Sequence, residues 1–125
     1  MDNHCLCRLR DVYRAIINFE YKLEKTTGLN INEAMLLCLL SDGEERLSGQ
    51  IAEQLDLTRS NASKVIAALE KKAYIRRMTC KEDSRCQKFH ITKKGNEMLE
   101  SIHCDSVQVP EELARLGITM GQTAE

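Results

Sequence analysis

The sequence lacks long apolar runs and signal features, and each absence excludes a class of protein. No uncharged apolar stretch of about 18 residues occurs, so no transmembrane helix is predicted and no membrane partner is expected. The N-terminus, from Met1 to Cys5, lacks the basic start and apolar segment of a secretory signal. Internal repeats and low-complexity linkers are missing as well. These features predict one cytoplasmic domain that spans residues 1–125.

Paired metal ligands and catalytic groupings are also missing. Six cysteines occur, but they form no CxxC pair, so no metal site and no cofactor is predicted and free thiols are expected in a reducing compartment. His4 is near the terminus, His90 falls in a predicted strand, and His103 lies near the end of a predicted helix. None of them falls in a recognisable catalytic context. An enzyme is therefore not expected.

The distribution of charge is uneven although the net charge is only −1. Residues 1–58 carry a net charge of −4 and residues 95–125 a net charge of −5. Between them, residues 59–94 hold 11 basic and 3 acidic side chains, a net charge of +8. Such a basic segment is typical of a surface that contacts phosphate. The alternative is an ordinary solvated charge run.

The periodicity of apolar residues predicts a mainly helical fold with one small β-hairpin, an α+β class. Gly28 follows a first helix, and Asn32 can cap a second helix that is apolar almost all round and should be buried. Thr92 can cap the last long helix, and Pro110 can start a short one. The predicted elements are helices at 5–25, 33–40, 48–55, 58–72, 92–104 and 111–116 and strands at 74–79 and 87–91.

Residues 48–72 read as a helix-turn-helix. Ala52 is small enough for two helices to cross closely, Asp56 suits a left-handed turn, and Thr58 can cap the second helix. With the apolar residues of the second helix facing inward, its polar residues face outward and are of the types that bond base edges and phosphates. This outward set is Arg59, Ser60, Asn61, Ser63 and Lys64, and the cap residue Thr58 is predicted to contact DNA with them. The alternative is a short amphipathic helix pair of the kind found in many all-α proteins.

The hairpin at 75–91 reads as a basic wing. Arg85 is placed to reach a minor groove, where negative potential is concentrated. Asp83 can hold this arginine or its turn by a charge-assisted bond, or can act as a plain turn former. The basic residues of the wing are Arg76 and Arg77 at its root and Lys81, Arg85 and Lys88 at or beside its tip.

From about Leu6 to Ile102 the sequence resembles the MarR family of bacterial regulators. The resemblance rests on Leu-Thr-Arg-Ser-Asn-Ala-Ser-Lys in the helix-turn-helix, Glu-Asp-Ser-Arg in the wing, and Ile-Thr-Lys-Lys-Gly at the last helix. It implies a winged helix-turn-helix regulator of transcription, expected to be a repressor, that binds palindromic double-stranded DNA as a homodimer. It further implies residues 58–64 in the major groove, Arg85 in the minor groove, and dimerisation through helices 5–25 and 92–117. The tail after Cys104 is short and acidic, which departs from the family pattern.

A second function for the same fold agrees less well with this sequence. A winged-helix module that binds other proteins and has lost DNA binding would be expected to lack the outward polar set and the basic wing. This sequence has both.

Two kinds of effector stay open from the sequence. A small molecule would bind in a crevice lined by Tyr13, Ile17, Tyr21 and Met35, and the alternative is that these four are core residues. An oxidant would act on thiols. The candidate thiols are Cys5, Cys7, Cys80 and Cys86.

The four candidate thiols fall into two pairs. Cys5 and Cys7 lie near a helix N-terminus, where the dipole favours thiolate. The spacing from Cys7 to Tyr21 is similar to that in the hydroperoxide-sensing branch of the family, but Ile31 and Ala34 stand where that branch has aromatics. Cys80 and Cys86 flank the wing and could cross-link it, whereas Cys38 is expected to be buried and inert.

Overall fold

The computed structural model describes residues 3–81 and 86–102. Over this part the protein is mainly helical and contains a small antiparallel sheet, which confirms the predicted fold class. The predicted helix at 111–116 lies outside the described residues. The elements are α1 (Asn3–Thr27), α2 (Ile31–Leu40), β1 (Arg46–Leu47), α3 (Ser48–Gln54), α4 (Arg59–Lys71), β2 (Ile75–Thr79), β3 (Gln87–Ile91) and α5 (Lys93–Ser101).

The sheet has the strand order β1-β3-β2, so β3 is its central strand. β2 pairs with β3 in a register that runs from Ile75 opposite Ile91 to Thr79 opposite Gln87. On its other edge, β3 pairs with β1, with Arg46 opposite Phe89. Sequence reasoning missed β1, because two residues are too few to show the alternation that marks a strand.

The chain divides into two compact units. One comprises residues 31–81 and 86–100, and the other contains residues 3–30 together with residues 101 and 102. The core of the 31–100 unit forms where the apolar faces of its helices meet the sheet. Its most deeply buried side chains include Leu36, Leu37, Leu40, Ile51 and Leu69.

Helix α2 is buried on one side only, so the prediction that it is buried all round is wrong. Leu36, Leu37 and Leu40 are fully buried, whereas Met35 and Cys38 are exposed. The reason is that α2 packs its inner face on α4, and the helical period turns positions 35 and 38 away from that contact.

The inner face of α2 also carries a charge that the sequence did not reveal. Glu33 is buried, and the ammonium of Lys72 donates to both of its carboxylate oxygens at 3.2 and 3.3 Å. A buried carboxylate needs such a partner. The pair joins the start of α2 to the end of α4.

Two left-handed positions were predicted, and two others, Gly43 and Ala73, were missed. Gly28 and Asp56 have φ of 78° and 54°, which confirms the predicted helix end and turn. Ala73 has φ of 65° immediately after α4. There the amide of Tyr74 donates to the carbonyl of Leu69 and the amide of Ala73 to that of Glu70, a pattern that ends many helices and usually has glycine at this position.

Gly95 allows the first turn of α5 to lie directly against the end of the hairpin. A Cβ at this position would overlap the carbonyl oxygen of Tyr74 and would lie 2.8 Å from Cγ1 of Ile91. The cap predicted at Thr92 is present, since its hydroxyl accepts from the amide of Gly95 at 3.0 Å and donates to the carbonyl of Ala73 at 2.7 Å. The start of α5 is thus fixed to the sheet.

Candidate nucleic-acid interface

Helices α3 and α4 form the predicted helix-turn-helix. The amide of Leu57 donates to the carbonyl of Ala52 at 2.8 Å and closes the turn around left-handed Asp56. Ile51, Ala52, Ala62 and Val65 are buried as predicted. Because both helices bury their apolar sides, the polar side of α4 is left to solvent.

The exposed face of α4 carries the residues that the sequence singled out. Thr58 is the N-cap, and its hydroxyl accepts from the amide of Asn61 at 3.1 Å. The cap satisfies one of the free amides of the first turn, whose positive end favours an anion nearby. The side chains that face solvent along these first turns are Arg59, Ser60, Asn61, Ser63 and Lys64.

A polar groove opens beside this face. It has a volume of about 250 Å³ and is lined by Ser48, Gly49, Arg59 and Ser63, so it runs between the first turns of α3 and α4. Sequence reasoning placed Arg59 and Ser63 at the interface but not Ser48 or Gly49. Their contribution depends on how α3 crosses α4, which spacing along the chain does not reveal.

The wing residues divide into exposed and engaged side chains. Arg76, Lys81 and Lys88 are exposed. Arg77 is exposed as well, but it donates to both carboxylate oxygens of Glu70 at 2.8 and 3.2 Å and to Oε1 of Gln87 at 2.6 Å.

The guanidinium of Arg77 also lies 5.3 Å from the centre of the Phe89 ring. It thereby joins α4 to both strands of the hairpin, a role that the sequence did not suggest. Asp83 and Arg85 lie outside the described residues.

An ion pair beside the sheet was also missed. Arg46, on β1, donates to both carboxylate oxygens of Asp42 at 3.0 and 2.7 Å and to the carbonyl of Leu39 at 3.0 Å. The hydrogen bond from Arg46, followed by one from the amide of Glu44, lowers the pKa of Asp42 from 3.8 to about 2. The same pairing raises the pKa of Arg46. The only signal in the sequence was the spacing of opposite charges across Gly43.

The four residues of the predicted ligand crevice are on the surface of the single chain. Tyr13, Ile17 and Tyr21 on α1 are 65%, 45% and 61% exposed, and Met35 on α2 is 40% exposed. The alternative that they are core residues is therefore wrong. Tyr13 and Ile17 line a groove of about 370 Å³ along α1, together with Arg10, Arg14 and Asn18.

The cysteines differ in state. Cys5, Cys7 and Cys38 are free and exposed, so the expectation that Cys38 is buried is wrong. Cys80 and Cys86 are joined by a disulfide, which overturns the expectation of free thiols for these two residues. Among residues 3–81 and 86–102, no three His, Cys, Asp or Glu side chains are grouped to hold a metal ion.

The helix-turn-helix segment matches a known family. Residues 29–87, which contain the helix-turn-helix and the first part of the wing, match the model of the MarR family. Through this segment the chain is similar to the MarR family. Among the helices that the structure describes, none is both long enough and apolar enough to cross a bilayer.

Curated relatives of this chain are regulators by name. It is 34% identical over 70 residues to the HTH-type transcriptional regulator PapX of Escherichia coli, an alignment that covers 54% of this chain and 43% of PapX. It is 33% identical over 85 residues to the transcriptional repressor MprA of Escherichia coli K12, covering 65% and 47% of the two chains. The chain thus spans less than half the length of these two relatives.

Solved structures share the MarR fold at lower identity. The transcriptional regulator BldR from Sulfolobus solfataricus has a TM-score of 0.69 at 24% identity, with 94% of this chain and 83% of BldR covered. The MepR–DNA complex of S. aureus has a TM-score of 0.59 at 21% identity, with 74% and 77% covered. Both similarities support the winged helix-turn-helix architecture.

Proposed function

We propose that this chain is a transcriptional regulator that binds a specific double-stranded DNA sequence as a homodimer. The observation that carries the proposal is the outer face of α4, where residues 59–64 present cationic and polar side chains beside a capped helix start. A helix of this kind enters a major groove with its N-terminal end leading.

The chemistry of this face suits reading as well as holding DNA. Arg59 can bond guanine in a bidentate manner, Asn61 can bond adenine, and serines can bond either base edges or phosphate. Lys64 is a point charge suited to a backbone phosphate. The polar groove lined by Ser48 and Arg59 adds hydroxyl and cationic groups on the side toward α3.

The wing provides the second contact in this proposal. Exposed Arg76, Lys81 and Lys88 extend the basic surface beyond α4, and Arg85 is proposed for the adjacent minor groove. We assign Arg77 to the shape of the wing, because its Nε, Nη1 and Nη2 atoms each already donate a hydrogen bond to Glu70 or Gln87.

A second copy of the chain is the proposed partner of α1. This helix exposes an apolar stripe along much of its length, formed by Leu6, Leu9, Tyr13, Ile16, Ile17 and Tyr21. Covering it with the same surface of another copy removes apolar area from water. The resulting two-fold axis predicts a palindromic site whose half-sites repeat at roughly 34 Å.

Repression is the proposed mode of regulation, and a cytoplasmic location goes with it. The support comes from one relative, since MprA is a transcriptional repressor. One structural neighbour is consistent with DNA as the partner, because the structure of MepR is that of a complex with DNA.

Selection from a randomised duplex library tests the proposal. Protein immobilised through its C-terminus is mixed with the library in low salt, retained DNA is sequenced, and the enriched duplex and a scrambled duplex are compared by fluorescence anisotropy. We expect an enriched inverted repeat that binds more tightly than the scramble. Equal binding of both duplexes, with and without reductant, would contradict the proposal and favour a protein-interaction module.

A further inference from the structure

The disulfide at the base of the wing tip suggests how DNA binding is regulated. We infer that Cys80 and Cys86 form a reversible thiol–disulfide site, and that closing this bond strengthens the grip of the wing on DNA. The inference rests on the proposed function, since it names the control of that same surface.

The register of the hairpin places the two cysteines opposite each other. β2 and β3 pair from Ile75 with Ile91 to Thr79 with Gln87, and Cys80 and Cys86 are the residues that directly adjoin this last pair. The amide of Cys80 donates to the carbonyl of Cys86 at 2.9 Å, and their Cα atoms are 5.3 Å apart. This separation is usual both for a hydrogen-bonded strand pair and for a disulfide. The ladder therefore brings the two thiols together without help from the bond.

The bond encloses the part of the wing that is proposed to contact DNA. The ring contains residues 81–85, which include Lys81 and Arg85. The backbone of a closed ring has fewer accessible conformations than the backbone of an open loop. Less conformational freedom is then lost when the tip enters a groove, so the closed wing should bind more tightly.

Both cysteines are accessible enough to react. Each is half-exposed, in contrast to the buried side chains of Phe89 and Ile91 on β3. Each thiol has a resolving partner across the ladder, whereas the free thiols of Cys5 and Cys7 follow one another along a helix at a spacing that points them apart. A half-exposed pair with a built-in partner is the arrangement expected of a reversible site.

The chemistry balances in both directions. In reduction, one thiol of a dithiol attacks one sulfur, the Cys80–Cys86 bond breaks, and a mixed disulfide and one free cysteine thiol form. The second thiol of the reductant then attacks the mixed disulfide, which frees the other cysteine thiol and leaves the reductant as a disulfide. In oxidation, one thiolate attacks an organic hydroperoxide, the O–O bond breaks, and a sulfenic acid and an alcohol result. The other thiol then attacks this sulfur and releases water, so two electrons pass from the thiols to the peroxide.

The test uses the full chain with its other four cysteines replaced (Cys5→Ser, Cys7→Ser, Cys38→Ser, Cys104→Ser). Thiols are counted by mass spectrometry after alkylation, first in dithiothreitol and then after cumene hydroperoxide. Affinity for the enriched duplex is measured in each state. A matched control carries Cys80→Ser and Cys86→Ser in addition.

We expect two alkylated thiols after reduction and none after oxidation, with DNA affinity about fivefold weaker in the reduced state. The control should bind with the reduced-state affinity in both solutions. Two thiols that persist after peroxide, or equal affinity in both states, would overturn the inference while leaving DNA binding intact. Loss of binding in both states would instead remove the proposed function, and the inference with it, although the thiol count would still report the chemistry of the pair.

Discussion

Ala73 holds a backbone conformation that is unfavourable for its residue type. Its φ of 65° is costly for a residue with a Cβ, and the turn after α4 requires it. Ala73→Gly should therefore raise the free energy of unfolding by about 1 kcal/mol, measured by urea denaturation. Ala67→Gly is the matched control, because Ala67 is exposed within α4 and the same change there should cost about 1 kcal/mol. Destabilisation by both changes would contradict the assignment of strain to Ala73.

Asp42 gives the chain a defined response to acid. Arg46 lowers the pKa of Asp42 from 3.8 to about 2. The contribution of Asp42 to stability is therefore complete above pH 3.8 and is lost as the pH falls through about 2. Asp42→Asn should thus be less stable than the wild type at pH 6, and the difference should shrink between pH 4 and pH 2. Urea denaturation across this range checks it, with Glu45→Gln, an exposed neighbour, as the control. A difference that stays constant down to pH 2 would exclude the ion pair as its cause.

The α5 helix depends on the absence of a side chain at position 95. Gly95→Ala would drive a Cβ into the carbonyl of Tyr74, and we expect a loss of about 1–3 kcal/mol in the free energy of unfolding. Gly49→Ala makes the same change in α3, where nothing lies within 4 Å of the added carbon. Thermal and urea denaturation should show no loss of stability for this control. Equal effects at the two positions would mean that α5 tolerates displacement from the hairpin.

Substitutions on α4 should distinguish sequence-specific from non-specific DNA binding. Arg59→Ala should weaken binding to the enriched duplex by roughly 1–3 kcal/mol and relax the sequence preference. Lys64→Ala should weaken binding to every sequence and lower the salt dependence by about one ion. Lys71→Ala, at the other end of α4, removes the same charge and should change neither quantity. Fluorescence anisotropy at several salt concentrations measures both quantities. An effect of Lys71→Ala equal to that of Lys64→Ala would contradict the proposed orientation of α4 on DNA, in which its N-terminal end faces the duplex.

The elements were predictable where side-chain pattern alone determines them. The buried face of α4, the cap at Thr58 and the strand Gln87–Ile91 all follow from local periodicity or capping chemistry. What could not be predicted depends on contacts distant in sequence. The pairing of β1 with β3 and the engagement of Arg77 by Glu70 are of this kind, as is the burial of Glu33 against Lys72.

At the scale of the whole molecule, the apolar stripe on α1 makes self-association the decisive measurement. Sedimentation of the wild type at micromolar concentration should give about twice the chain mass of 14.3 kDa. The double change Tyr13→Asp and Ile17→Asp should give the monomer, because two charges would be buried without partners. Lys22→Asp, exposed on another side of α1, is the control and should leave the dimer intact. A wild type that sediments as a monomer would remove the second copy from the proposal.

The position of β1 fixes the wing relative to the helix-turn-helix. β1 is hydrogen-bonded to β3, which forms one arm of the hairpin. The last residue of β1, Leu47, is also the N-cap of α3. The arm and the helix pair therefore cannot slide independently without breaking this short ladder. In the proposed complex with DNA, we therefore expect the distance between the groove that α4 enters and the groove that the wing enters to be set by the protein.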